Sequence, residues 1–137
     1  MNPLRNVRVV PYDPLWPAMA RDEIECIRAV FGDDCLAFHH IGSTSIPGMS
    51  AKPIIDLMPL VRDIERVDAF NDAMAALGYE AAGEFGLPGR RYFRKGGALH
   101  RSHQVHTYAA DNPEVTRHLA FRDYLIAHPA EAERYAA

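Results

Sequence analysis

The chain has 137 residues, 48% of them hydrophobic, and a formal net charge of −3. That is enough apolar material for one domain with its own core, and the charge supplies no overall field toward nucleic acid or an anionic membrane. No apolar run approaches a membrane span, the N-terminus lacks the basic-then-apolar layout of a secretion signal, and Cys26 and Cys35 have no metal-type spacing and read as reduced thiols. A soluble cytoplasmic protein is therefore the expectation. No repeat, low-complexity segment or linker divides the chain, so residues 1–137 are expected to form a single domain.

Val7 to Val10 is short and β-branched and reads as a first strand. Pro11-Tyr12-Asp13-Pro14 makes a turn. A helix follows from about Pro17 or one turn earlier, since proline suits a first turn. At about 100° per residue, Trp16, Met19, Ala20, Ile24, Ile27, Val30 and Phe31 share one face, with Glu23 inside that stripe. Gly32-Asp33-Asp34 ends this helix. Phe38 to Ile41 leads into a loop of small residues. Ile54 to Val61 is then a nearly unbroken apolar run, suited to a strand covered on both faces.

Asp63 caps a second helix, Ile64 to Leu77, which packs through Val67, Phe70, Met74 and Leu77 and stops at Gly78. Tyr79 to Ala82 reads as a short strand and Glu84 to Gly89 as a glycine-rich loop. Arg91 to Lys95 and Gln104 to Tyr108 are two further strands, joined by a connection too long for a tight hairpin turn. Asn112 caps a third helix with Pro113 at its first position. It runs to about Ala127, where His128-Pro129 ends or kinks it. Its apolar face carries Val115, Leu119, Phe121, Leu125 and Ile126, with Arg122 projecting from the middle. The chain ends in a helical-looking stretch, Ala130 to Ala137. This order predicts a mixed sheet with helices packed on it, an α+β fold.

The loop between the strands concentrates the chemistry. Gly42, Ser43, Thr44, Ser45 and Gly48 offer backbone amides and hydroxyls that can approach an anion closely. Lys52 follows as a phosphate charge. Asp56 is the one charge in the apolar run, and a charge there is costly unless paired or ligated. Together they suggest an anion-plus-metal site, the loop taking phosphates and the aspartate a cation. The order of glycine, lysine and hydroxyl residues is not that of a P-loop. The structural alternative is a tight turn braced by Asp56 as an N–H acceptor.

Gly-Ser-Thr-Ser-Ile-Pro-Gly-Met-Ser-Ala-Lys-Pro-Ile-Ile-Asp, residues 42–56, resembles the signature of the GrpB (UPF0157) family. The resemblance extends upstream to Pro11-Tyr12-Asp13-Pro14-Leu15-Trp16-Pro17 and downstream to Phe121–Leu125 and His128-Pro129. It implies the nucleotidyltransferase superfamily and its polymerase-β-like fold. In nucleotidyltransferases a Gly-Ser pair at a helix start holds the triphosphate, and an acidic pair on the next strand holds divalent metal. Gly42-Ser43 and Asp56 match those positions, so nucleotidyl transfer with Asp56 as the catalytic carboxylate is the implied reaction if the chain is an enzyme. Met58 departs from the pattern, standing where the second acid belongs. Period-two geometry points 56 and 58 to one face, which is how two acids share metals. The alternative is a non-catalytic binding or folding-assistance module with a protein partner, because related domains occur fused to dephospho-coenzyme A kinase.

Seven histidines are many for this length. His103 and His106 fall on opposite strand faces and do not form a chelating pair. His103 shares Val105's face and reads as a core or edge histidine, whereas His106 is expected to face a cleft with Gln104 and Tyr108. A metal set of His40, Asp56 and His106 is one candidate. Histidine ligands favour Zn²⁺ over Mg²⁺ or Mn²⁺, and the choice among these ions stays open. Arg90, Arg91, Arg94, Lys95 and Arg101 form the densest basic cluster. They are either a charge-guarded strand edge or, through Arg91 and Arg94, a reader of phosphate or carboxylate. Few aromatics interleave with them, so nucleic acid is not favoured and a nucleotide or phosphorylated small molecule is the expected partner. Glu23 and Arg122 either snorkel to their helix edges or are held by an opposite charge, each being the first guess for the other.

Overall fold

The computed structural model describes residues 8–97 and 100–136. The apolar run around Asp56 lies inside a five-stranded mixed sheet. Its strands are β1 (Cys35–Ile41), β2 (Ile55–Val61), β3 (Tyr79–Ala81), β4 (Arg90–Lys95) and β5 (His103–Ala109), in spatial order β1-β2-β5-β4-β3. β2 and β5 run parallel, and the other neighbours are antiparallel. β2 carries Pro59 in its middle, where a proline normally argues against a central strand. β2 pairs with β5 at Leu57↔Val105 and again at Leu60↔Tyr108, so Pro59, which has no N–H to give, falls between them.

The two faces of the sheet carry different helices. On one, α1 (Trp16–Phe31) and the segment after β2 bury Trp16, Ile27 and Phe31 against Leu57, Val61 and Val105. On the other, α3 (Pro113–Ala127) lays Val115 over Ile41, Met58, Leu60 and Tyr108. β2 is thus covered on both sides, as its continuous apolar run requires. The last helix, α4 (Pro129–Ala136), packs Ala132 with Leu125 against Ile46 and Met49, which seats the loop between β1 and β2.

Several expectations need correction. Val7 lies outside the described residues, and Val10 makes a single antiparallel bridge to Ala51 instead of a strand. Its partner segment is bounded by Pro47 and Pro53, and prolines cannot extend a ladder. The second helix is divided: Ile64–Phe70 is 3-10, and only α2 (Asn71–Ala76) is α-helical. Asp63 still caps it, accepting from the Glu65 amide at 3.1 Å. Met19, Phe121 and Ile126 are exposed. Periodicity marks a stripe but not how far the sheet extends beneath it.

Glu23 and Arg122 do not meet, because α1 and α3 pack on opposite faces of the sheet. Glu23 Oε1 accepts from Tyr79 Oη at 2.7 Å and Lys95 Nζ at 2.8 Å. Burial alone would push this carboxyl up, but hydrogen bonds from Lys95 and Tyr79 and the nearby His103 hold it below its usual range. Arg122 donates to the His40 carbonyl at 3.3 Å and to Asp123 at 2.9 Å. His103 is buried with Ser102 Oγ on its Nδ1 at 2.8 Å, a satisfied core histidine.

Candidate functional site

β1 ends at Ile41, directly opposite Asp56 of β2. The next residue, Gly42, turns the chain at φ 75° and ψ −175°, a conformation open essentially to glycine alone. A Cβ at this position would stand 2.6 Å from Asp56 Oδ2. Glycine therefore permits both the turn and the approach of backbone to carboxylate. Ser43–Ser45 then forms one 3-10 turn, with the Ser45 amide and Oγ both donating to the Gly42 carbonyl, at 3.1 and 2.5 Å. Three residues per turn send successive side chains in different directions. Thr44 is 1% exposed, with Oγ1 2.9 Å from His40 Nε2. Of the three hydroxyl residues, Ser43 lines the clefts beside Asp56, while the Thr44 hydroxyl meets His40 and the Ser45 hydroxyl points back into the turn.

Asp56 is held from its other side. His106 Nε2 lies 3.0 Å from Asp56 Oδ1, and His106 Nδ1 lies 3.4 Å from an Arg90 guanidinium nitrogen. Arginine stays protonated and only donates. Nδ1 is therefore the acceptor, and Nε2 carries the hydrogen given to Asp56. Arg90 is 7% exposed. It also donates to the carbonyls of Glu84 and Phe85, at 3.2 and 2.9 Å, and its guanidinium lies 4.7 Å from the centre of the Tyr92 ring. The glycine-rich loop is thereby tied to the residue that orients the aspartate.

A cleft of about 480 Å³ opens on Gly42, Ser43, Asp56 and His106. Arg117, His118 and Phe121 of α3 and Tyr135 of α4 supply its other side. A second cleft of about 420 Å³ shares Ser43, Asp56 and Tyr135 and adds Lys52 and Gln104. Burial, then the neighbouring His106 and Arg117, pushes the His118 imidazole below its usual pKa.

The other expected ligands are placed elsewhere. His40 pairs in register with Leu57, so it shares the α1 face, whereas Asp56 belongs to the α3 face. Burial first, and also Arg122, lowers its pKa to about 4. The set His40, Asp56 and His106 is not assembled, and among the described residues no three His, Cys, Asp or Glu side chains converge to hold a metal. His106 has both ring nitrogens engaged. Met58 is fully buried beneath α3. One carboxylate does not fit a two-metal site, but it does fit a single Mg²⁺ or Mn²⁺ completed by phosphate oxygens and water. Arg91 is bound to Asp68 at 2.7 Å and Arg94 to Glu80 at 2.6 Å, and neither lines these clefts. Sequence reasoning missed Arg90, Arg117, His118 and Tyr135 and assigned Phe121 to the core. The one signal for Arg90 was its place in the basic cluster, where the choice fell on its neighbours.

The five-stranded mixed sheet with helices on both faces has the polymerase-β-like nucleotidyltransferase fold. The chain superposes on Cid1 in complex with the UTP analogue UMPNPP with a TM-score of 0.54 at 14% identity, covering 85% of this chain and 37% of that one. Within that fold, the chain belongs to the GrpB family, whose profile, "GrpB protein", matches residues 6–137. It is similar to the crystal structure of the conserved protein GrpB from Enterococcus faecalis, at TM-score 0.92 and 46% identity, over 94% of this chain and 78% of that one. It is 52% identical over 134 residues to UPF0157 protein YqkA of Bacillus subtilis, covering 98% of this chain but only 39% of that protein. A shorter match, 36% identical over 76 residues, covers 53% of this chain and 19% of the dephospho-CoA kinase of Mycolicibacterium paratuberculosis. Among the described residues, no helix is long and apolar enough to cross a membrane.

Proposed function

We propose that the cleft binds a nucleotide or a similarly phosphorylated small molecule, with its phosphates at the Gly42–Ser43 turn and a divalent cation between them and Asp56. The observation that carries this reading is the contact of the Gly42 backbone with Asp56, closer than any side chain would permit. A glycine turn beside a fixed carboxylate suits a phosphate and its counter-cation together. Ser43 offers a hydroxyl there, and Lys52 brings positive charge to the second cleft. Arg90, acting through His106, keeps one carboxylate oxygen of Asp56 fixed. Asp56 would hold the cation, which would supply counter-charge to the phosphates. The nucleotide complex of Cid1, a neighbour by fold, supports the ligand class.

The burial of Met58 favours a second reading, binding without chemistry. With no second carboxylate beside Asp56, the chain would act as a binding or folding-assistance module. The partial match to dephospho-CoA kinase supports a protein partner for that role. A thermal-shift screen of nucleoside triphosphates with Mg²⁺, Mn²⁺ or Zn²⁺ tests the first reading. Stabilisation that needs metal and nucleotide together, and is lost in Asp56→Asn, supports it. No shift with any combination overturns it. Stabilisation without pyrophosphate release across a panel of acceptors supports the second reading.

A further inference from the structure

The α3–α4 side of the cleft is a wall of rings. His118 and Phe121 lie three residues apart on one helix, and Tyr135 reaches the same cleft from the next helix. Phe121 and Tyr135 meet edge to face, with ring centres 5.2 Å apart and planes at 71°. Both stay open to solvent, at 46% and 59% exposure. Helical periodicity assigns Phe121 to the core, and a large apolar side chain that instead rims a polar cleft marks a place for a ligand. Arg117, the charged residue beside these rings, has its guanidinium engaged by Glu114 at 2.5 and 2.9 Å. Phosphate-type donors at one end and neutral rings at the other match a ligand that is anionic at one end and flat and aromatic at the other.

We infer that His118, Phe121 and Tyr135 form a subsite for the planar base of a nucleotide, with Tyr135 and Phe121 offering the stacking surface. This rests on the phosphate-binding reading of the Gly42–Ser43 turn and narrows its ligand from phosphorylated molecules in general to nucleotides. Stacking on an aromatic ring tolerates every base, because each base has a π-face. Broad acceptance of purine and pyrimidine nucleotides is therefore expected.

Calorimetric titration with Mg²⁺ and either ATP, UTP or inorganic tripolyphosphate separates the two ends of the site. ATP and UTP should bind about tenfold more tightly than tripolyphosphate. Tyr135→Leu and Phe121→Leu should erase that margin and leave tripolyphosphate binding unchanged, and Tyr135→Phe should keep the margin. Both side chains are exposed, so the variants are expected to fold. Tripolyphosphate binding as tightly as the nucleotides, or leucine variants that retain the margin, would overturn the base subsite while the phosphate site stands. If no probe binds, the phosphate reading fails and the subsite with it.

Discussion

Gly42→Ala is the sharpest perturbation of the site. The residue sits at φ 75° and ψ −175°, where an alanine costs about 1–3 kcal/mol in backbone strain alone. Its methyl would also land 2.6 Å from Asp56 Oδ2 and 3.1 Å from Asp56 Cβ. An extra methyl forced into filled space typically costs about 1–3 kcal/mol more. Gly48 supplies the control. It has φ 78°, yet a Cβ there meets nothing within 4 Å, so Gly48→Ala should carry the strain of a left-handed residue, about 1–2 kcal/mol, and little else. Urea unfolding of both variants should show Gly42→Ala as the more destabilised, because it alone adds the contact with Asp56 to its backbone strain. Titration with Mg²⁺ and ATP should show binding lost in Gly42→Ala and retained in Gly48→Ala. Two variants equally stable and equally able to bind would refute the claim that Gly42 is glycine for the sake of Asp56.

Four more outcomes follow from the same geometry. His40 has its pKa lowered from 6.5 to about 4, so its stabilising contribution is full above pH 6.5 and is lost as pH falls toward 4, by about 3 kcal/mol. Urea unfolding at pH 7.5 and at a pH near 4 should show a smaller acid loss in His40→Gln, and equal losses would contradict this. Lys95→Met should cost about 1–3 kcal/mol by leaving the half-buried Glu23 short of a partner, and Glu23→Gln in the same chain should recover part of that loss in thermal unfolding. Arg122→Met combined with Glu23→Gln should instead add within about 0.5 kcal/mol, because their partners lie on opposite faces of the sheet; a larger coupling energy would refute that separation. Met58→Asp would place a carboxylate in the closed core beneath α3, so a lowered melting temperature with no gain in Mg²⁺ binding is expected, and a folded variant with tighter binding would overturn it.

Much of the fold was legible because its signals are local. Asn112 and Pro113 mark a helix start whether or not a sheet lies below, and Asn112 Oδ1 does accept from the Glu114 amide at 2.9 Å. The run from Ile55 to Val61 requires cover on both faces, and α1 and α3 supply it. Asp56 stood out because a charge in such a run needs a reason, and its reason involves residues from three strands: Gly42 after β1, His106 on β5 and Arg90 on β4.

Those partners could not be read locally. Period two fixes which residues of one strand share a face, but the relative facing of two strands depends on their register. β1 presents His39, His40 and Ile41 in succession, and the register Ile41↔Asp56 turns His40 toward α1 and away from the aspartate. A slip of one residue would put His40 beside Asp56 and turn Ile41 away. The close approach of Gly42 to Asp56 goes with this register. Gly42 and the 3-10 turn must clear the Asp56 carboxylate, and His40 is then latched to Thr44 on the far side. The hydroxyls divide for the same reason: Thr44 and Ser45 brace the turn, and Ser43 is left facing the cleft. The sequence offers two candidate histidines around one aspartate; the β1–β2 register turns His40 away from it, and the β2–β5 pairing brings His106 to it.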